Sequence, residues 1–550
     1  MFRIRADCDS AGQTLIAHLL FFAAERESDR KGIGNMAIKV FFLIIFFAVM
    51  ILIGIMTRRK ARSVDGFVLG GRTAGPWLTA FGYGTSYFSA VVFVGYAGQF
   101  GYKYGVSATW AGIGNAVLGS LLAWIVLGRR TRVMTKHLNS RTMPDFFGKR
   151  FDSNSLKVAA ALISFVFLIP YTSSVYNGLS RLFRMAFDIP YTACVIVMAA
   201  LTCVYVLLGG YMATVVNDFV QGIIMLFGIS AVILAVLKSN GGFLQALTTL
   251  SQYESDLPVT EGMKGAFTSF FGPDPLNLLG VVVLTSLGTW GLPQMVGKFY
   301  AIKDERSIKA GTVISTVFAI VVAGGCYFLG GFARLYSANP TITNPDGSIA
   351  YDAIIPAMLA GLPDILIGIV VVLVLSASMS TLSSLVLTSS SSVTLDLIAH
   401  FKKDLQEKRK LLIMRVLLVA FIILSVVLAL NPPTFIAQLM GYSWGALAGS
   451  FLAPFLYGLY WKRTTKLSVW ACFIAGVGIT LSNMFLHFIK SPINAGALTM
   501  VAGLIIVPVV SLITPKLDDS RTREIFAGYE ETITIKKQYS LKEEDEDAEA

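Results

Sequence analysis

The residues with the clearest chemical potential are hydroxyls placed where lipid is expected. From Ser376 to Thr394 the chain carries twelve serines and threonines, in SASMSTLSSLVLTSSSSVT, directly after the apolar run DILIGIVVVLVL. On a helix, Ser376, Ser380, Ser383, Ser384 and Thr388 share one face by their spacing of three and four. Packing and local hydrogen bonding between helices account for most of the twelve, because serine and threonine are common in such roles. A stripe this dense also supplies neutral oxygen ligands, the donor type taken by a hard cation such as sodium. Asp218, in VVND, is the second residue of interest: a carboxylate within a membrane span is costly and has a partner or a function. A helix cap near the interface is the plainer alternative for it.

Enzyme chemistry has little to work with. The four histidines (His18, His137, His400, His487) are scattered, so neither a zinc site nor a catalytic cluster is visible. Four of the five cysteines, Cys194, Cys203, Cys326 and Cys472, fall in or beside apolar runs and read as small packing residues.

The elements that must position the hydroxyls are membrane helices. The 550 residues are 55% hydrophobic and 14% charged, with mean hydropathy +0.68, the composition of a polytopic membrane protein. Thirteen runs are long enough to span, near 37–56, 76–98, 107–127, 157–179, 188–208, 211–237, 275–297, 308–332, 364–390, 410–430, 437–459, 466–487 and 495–513. Backbone groups in lipid must pair within the segment, which makes each run a helix. Loops at 57–72, 128–157, 298–309, 400–410 and 461–466 hold 25 basic residues, against seven in the alternate loops. The basic loops are expected to face the cytoplasm, with the N-terminus outside and the C-terminus inside. The net charge of +12 is therefore membrane topology and not a nucleic-acid surface.

The ends differ from the body. Residues 1–35 carry five basic and five acidic side chains around a short apolar stretch, which is expected to be a non-structural leader preceding a working start at Met36. A short external helix is the alternative. Residues 515–550, ending KEEDEDAEA, are expected to form a disordered cytoplasmic tail.

Two spans are interrupted. The second contains FGYGTSYFSAVVFVGYAG and the seventh LTSLGTWGLPQMVGKF, the latter with Pro293. Broken helices leave backbone carbonyls and amides free, which is tolerated at membrane depth where they line a cavity or bind something; glycine also permits close packing alone. Five spans separate the two starts, so the segments cross in opposite directions, as the openers of inverted five-helix repeats would. Repeat one then covers about 76–238 and repeat two about 275–459, within a transmembrane domain at 36–514. Solute and ions are expected near the midplane, where the breaks meet the serine stripe.

At these residues the chain resembles the sodium:solute symporter family, from Met36 to about Pro515. The resemblance rests on LGGRTAGPWLTAFGYGTSYFSA, LNSRTMPDFFGKRF, LGGYMATVVNDFVQG and SASMSTLSSLVLTSSSSVTLDL. It implies an all-α fold of thirteen transmembrane helices with a leucine-transporter-type inverted repeat. It also implies a main sodium site from the carbonyls of Thr85, Phe88 and Ala377 and the hydroxyls of Ser380 and Thr381. In some members a second sodium sits lower, at positions matching Asp218, Ser383 and Ser384. Tyr87, Val91, Val92 and Thr109 stand where the sugar-transporting branch has polar or acidic groups, so hexose is disfavoured.

The expected function is sodium-coupled import of a small organic solute by alternating access, with one or two sodium ions as coupling ions. The runs TSYFSAVVFVGYAGQFGYKYG and VVNDFVQGIIMLFG look closest to the pantothenate and monocarboxylate branches, which favours a carboxylate or vitamin-like anion; proline and sialic acid are the alternatives. No Lys or Arg is expected mid-span, so half-helix amides, hydroxyls and sodium would hold the carboxylate. Candidate solute contacts are Ser89, Val92, Phe93, Thr109, Tyr171, Ser174, Trp290 and Gln294. A solute sensor and an uncoupled facilitator are the rival classes. The expected surroundings are the bilayer of the cell membrane, with no nucleic-acid partner; oligomeric state has no signature in the sequence.

Overall fold

The computed structural model describes residues 39–530 except Asp188 and Lys403; the expected leader at 1–35 and the tail beyond 530 lie outside the described residues. Within them the chain is helical, with only isolated β-bridges. The principal helices are α1 (Lys39–Arg62), α2 (Pro76–Tyr87), α3 (Val91–His137), α4 (Asn154–Phe187), α5 (Tyr191–Ser239), α6 (Pro275–Gly291), α7 (Pro293–Ala301), α8 (Glu305–Gly330), α9 (Asp364–Phe401), α10 (Glu407–Leu430), α11 (Ile436–Tyr460), α12 (Lys466–Leu486) and α13 (Pro492–Ile513). Local chemistry sets many starts. Proline occupies the first turn of α2, α6, α7 and α13, where its missing N–H costs nothing, and the side chains of Asp274, Asp304, Thr465 and Ser491 cap α6, α8, α12 and α13.

Among the described residues nine helices are long and apolar enough to cross a membrane, or ten spans if the bent pair α6–α7 counts as one. This is fewer than the thirteen expected runs, for identifiable reasons. The runs at 188–208 and 211–237 are joined in the 49-residue α5, which is kinked where Gly210 adopts φ +54°. A straight helix of that length would extend about 74 Å, more than twice a hydrocarbon core, so the kink is what lets it fit. A Cβ at Gly210 would lie 2.9 Å from the Phe67 carbonyl oxygen, so close approach as well as φ requires glycine there. The run at 76–98 is divided at Phe88, with only 12 residues in α2, and α11 is not among the nine.

The interior is organised around α9. Of its apolar window 78% is buried, against 17% for α1, so α9 is the central post and α1 faces outward. Large apolar side chains such as Phe227, Leu234, Ile474 and Leu512 remain exposed on the outer helices, as a lipid-facing surface requires. Both breaks are visible. Phe88 is extended (φ −91°, ψ 115°) between α2 and a π-helical turn at Val91–Tyr96, and Leu292 is extended (φ −84°, ψ 121°) between α6 and α7, which bend by 45°. A two-bond bridge, Ala74 N–H to the Ala301 carbonyl and Lys303 N–H to the Ala74 carbonyl, ties the start of α2 to the end of α7.

One expectation for the C-terminal tail is corrected. Residues 519–530 form a helix with Ile525, Phe526 and Tyr529 buried. The Arg130 guanidinium lies 4.7 Å from the Tyr529 ring and that of Arg150 4.9 Å from the Phe526 ring. Acidic composition masked this short amphipathic stretch, whose aromatic residues dock on basic side chains of α3 and the α3–α4 connection.

Candidate functional site

The break in α2 supplies the first half of the site. Because the helix stops at Tyr87 and resumes at Val91, the amides of Val92 and Phe93 bond the Ser89 carbonyl, while the Val91 amide bonds the Ser89 hydroxyl at 3.2 Å. The carbonyls of Thr85 and Phe88 are left facing α9, where the Ser380 hydroxyl donates to Thr85 O at 2.9 Å and to Ala377 O at 3.0 Å. The Thr381 hydroxyl lies 3.3 Å from both Thr85 O and Phe88 O and 3.1 Å from Ala377 O. Five neutral oxygens from two helices therefore converge, all buried, with no charged side chain among them. This donor set suits a small hard cation, since each hydroxyl keeps lone pairs free when its hydrogen turns away. Two further serines of α9 meet the broken segment: Ser378 accepts from the Ala90 amide at 3.3 Å, and Ser384 Oγ lies 2.8 Å from Ser86 Oγ.

One turn further along α9 the structure departs from expectation. Lys298, placed by hydropathy in a loop, is in α7 and 2% exposed. Its ammonium lies 3.2 Å from Asp218 Oδ2 and 3.1 Å from Ser384 Oγ. The expectation of no mid-span lysine or arginine is therefore incorrect: the helix after Pro293 carries its cation inward. Ser383 does not join this pair, because its hydroxyl donates to the Ser380 carbonyl at 2.9 Å. Asp218 Oδ1 has no hydrogen-bond partner among the described residues.

The eight candidate solute contacts separate into groups. Ser89 caps the resumed half of the broken span, with Val92 and Phe93 buried beside it. Tyr171 on α4 packs edge-to-face on Trp444 of α11 at 5.8 Å, and Tyr87 meets the same indole at 5.8 Å. Ser174 donates to the Tyr171 carbonyl at 2.6 Å, a local bond. Trp290 donates its indole N–H to the Leu118 carbonyl at 2.9 Å. Gln294 lies elsewhere, lining a cavity of about 50 Å³ with Lys298, Ser384, Tyr211 and Thr388, and both its amide atoms lack partners among the described residues. Thr109 begins the helical stretch after Gly105, six residues or about 9 Å along the helix from Asn115, and its buried hydroxyl has no partner among the described residues.

A polar chamber emerges that the candidate list only touched. The buried hydroxyls of Tyr96 and Tyr171 have no partner among the described residues, and both lie near Tyr87. The Tyr327 hydroxyl faces Asn115, whose Oδ1 accepts from Ser286 at 3.1 Å. A buried hydroxyl without a partner costs about 1–3 kcal/mol. Two such groups beside an aromatic wall are what a small polar ligand would satisfy. Asn115, the one amide side chain in the run 107–127, was a legible signal for this chamber. Tyr96, Tyr327 and Trp444 were not, since aromatic residues line any helix bundle.

These features define a membrane transporter built around paired broken helices. The chain belongs to the sodium:solute symporter family, whose pattern matches residues 67–476. It is therefore a sodium-coupled solute symporter, a multi-pass membrane transporter and not an enzyme. It is 29% identical over 502 residues to an osmoregulated proline transporter of Bacillus subtilis, covering 90% of this chain and 98% of that protein. It is 30% identical over 434 residues to the sodium/proline symporter of Escherichia coli, covering 78% of this chain and 84% of that one. Its fold is similar to that of a sodium-coupled sialic acid symporter in a substrate-bound outward-open state, with TM-score 0.69, 14% identity, and coverage of 88% of this chain and 99% of that chain.

Proposed function

We propose that this protein imports a small zwitterionic amino or imino acid, proline-like in size, together with sodium. The observation that carries the reading is the similarity to proline transporters along nearly the whole chain. It favours the alternative over the vitamin-like anion expected from local motifs, and an amino acid keeps the carboxylate which that expectation required. In this reading thirteen spans cross the cell membrane with the N-terminus outside and the C-terminus inside. Spans two to six and seven to eleven form inverted repeats, which α5 supports by folding two runs around Gly210 and the α6–α7 bend by mirroring the α2 break.

Sodium would be held by the carbonyls of Thr85, Phe88 and Ala377 and the hydroxyls of Ser380 and Thr381. The solute would occupy the chamber between the resumed broken span at Val92 and Phe93, Tyr171 and Trp444, where the Tyr96 and Tyr171 hydroxyls are available to its polar groups. Because Ser380 and Thr381 belong to the central helix and Thr85 and Phe88 to the broken span, a cation there fixes one repeat against the other. That gives sodium a differential affinity for one conformation, the requirement for coupling. Asp218 and Ser384 make a second cation position, with the Lys298 ammonium as its occupant in this conformation; sodium enters it only when Lys298 withdraws.

The test is uptake into proteoliposomes under an inward sodium gradient, comparing labelled proline, pantothenate, lactate and sialic acid. Concentrative proline uptake that collapses without sodium supports the reading. Uptake of another of these solutes and not proline refutes it.

A further inference from the structure

A cavity of about 910 Å³ opens on the lipid-facing side of the bundle, between the end of α1, the half of α5 before its kink, and α10. Its polar lining is three arginines, Arg58 and Arg62 of α1 and Arg415 of α10, and its walls are leucine and valine side chains of α5 and α10. Arg58 and Arg62 are four residues apart and share one face of their helix. Val204 and Val416 are 45% and 59% exposed, so the cavity is open towards hydrocarbon. Among the described residues none of the three arginines forms an ion pair or a hydrogen bond, and Arg415 Nε is buried without a partner. Carboxylates of the flanking segments are committed elsewhere: Glu407, at the start of α10, takes the Val64 N–H at 3.4 Å, and Asp65 pairs with Arg141 at 2.7 Å.

Basic residues collect at this end of the bundle for topology alone. These three differ because they converge from two helices on one hollow, and one of them has a buried donor with nothing to receive it. A guanidinium fork matches the paired oxygens of a phosphodiester, which take two parallel N–H bonds. A small soluble anion would satisfy the arginines and leave the leucine and valine walls uncovered. An uncharged acyl chain would cover the walls and leave Arg415 Nε unpaired. An anionic phospholipid satisfies both, and the volume lies within the roughly 300–1,000 Å³ of small-molecule sites. The position also bears on the helices around it. The Arg415 guanidinium lies 5.7 Å from the ring of Phe67, the residue whose close approach requires glycine at the α5 kink. Only 17% of the apolar window of α1 is buried, so a lipid joining Arg58 and Arg62 to Arg415 fastens this outer helix to the body.

We propose that this cavity binds an anionic phospholipid, with the phosphodiester on Arg58, Arg62 and Arg415 and the acyl chains along the leucine and valine walls of α5 and α10. The inference stands apart from the identity of the transported solute and from the sodium assignment.

Native mass spectrometry of the full-length protein with mixed phosphatidylglycerol and phosphatidylcholine, together with melting temperatures in nanodiscs of either composition, tests it. The wild type should retain phosphatidylglycerol in preference to phosphatidylcholine and melt higher where phosphatidylglycerol is present. Arg415→Gln and Arg62→Gln should each weaken phosphatidylglycerol retention about fivefold, the equivalent of about 1 kcal/mol per basic group at a membrane surface. Their melting temperatures in phosphatidylcholine alone should match the wild type, which reports an intact fold. Arg62→Lys, which keeps the charge, should retain most of the binding. Arg409→Gln, which removes an exposed charge of α10 outside the cavity, should change neither reading. Inorganic phosphate added to the protein in detergent should not reproduce the stabilisation, because it leaves the apolar walls uncovered. Equal losses in Arg409→Gln and Arg415→Gln would reduce the attraction to diffuse surface charge and overturn the site. Equal stabilisation by phosphate overturns the lipid as its occupant. A melting temperature lowered in Arg415→Gln as much in phosphatidylcholine alone gives the cavity to the protein's own acidic end, KEEDEDAEA, and overturns the proposal as well.

Discussion

Replacing Ser380 by alanine should weaken sodium without harming the fold, and the geometry shows why. Ser380 reaches the carbonyls of Thr85 and Ala377, but Thr381 reaches both as well and is alone in reaching Phe88. In Ser380→Ala every carbonyl of the cluster keeps a hydroxyl neighbour, so the structural loss is one neutral hydrogen bond, about 1 kcal/mol. Alanine is also favourable within a helix. The ion loses one of five oxygens, and the expected consequence is a tenfold rise in the sodium concentration for half-maximal uptake, about 1.4 kcal/mol. Thr381→Ala removes a ligand and also leaves Phe88 O without a hydroxyl, so its rise should be larger, about thirtyfold or near 2 kcal/mol. Thr381→Ser should restore most of the affinity. Ser389, a buried hydroxyl on the same helix with no partner among the described residues, is the control: Ser389→Ala should leave sodium dependence unchanged. The assay is initial uptake against sodium concentration in proteoliposomes at zero membrane potential. Wild-type sodium dependence in both Ser380→Ala and Thr381→Ala would refute the assignment of the site.

Lys298 at the second cation position implies one sodium per solute in the wild type. Lys298→Met should raise the sodium Hill coefficient above one by opening Asp218 and Ser384 to a second ion, which would add about 2.3 kcal/mol of drive per 100 mV; a coefficient fixed at one, with flux ratios unchanged, would argue against a cation position there. Asp218→Asn strands a buried ammonium and should destabilise the protein by about 3–5 kcal/mol, read as lost thermal stability, with Lys298→Met in the same chain recovering most of it. Tyr171→Phe removes a hydroxyl that has no partner among the described residues, so stability should hold while KM for the solute rises about tenfold; an unchanged KM would take Tyr171 out of the chamber's contacts. Gly101→Ala should prevent a stable fold, because its Cβ would lie 1.9 Å from the Gly330 carbonyl oxygen on α8, and normal expression and melting temperature would show that the two backbones are not so close.

What the residues determine alone is whatever depends on local order. The glycine and proline breaks near Phe88 and Leu292, and the three-and-four spacing that sets Ser380, Ser384 and Thr388 on one face, are patterns within one segment, and the structure has both breaks and one continuous helix through the three hydroxyls. The convergence of the five oxygens of Thr85, Phe88, Ala377, Ser380 and Thr381 was legible because each half is a short contiguous motif, and the family resemblance pairs the two halves. Tertiary packing decided the rest. Hydropathy ended the seventh run at 297 and left Lys298 outside, since a window average counts a lysine as polar whether or not a carboxylate awaits it; the partner, Asp218, is 80 residues away. The kink at Gly210 depends on the approach of Phe67 from another helix, and the helix at 519–530 on Arg130 and Arg150 from elsewhere in the chain. The chamber draws Tyr96 and Asn115 from α3, Tyr171 from α4, Tyr327 from α8 and Trp444 from α11. No periodicity records such a meeting, because burial of a polar group is favourable only once its distant neighbours are in place.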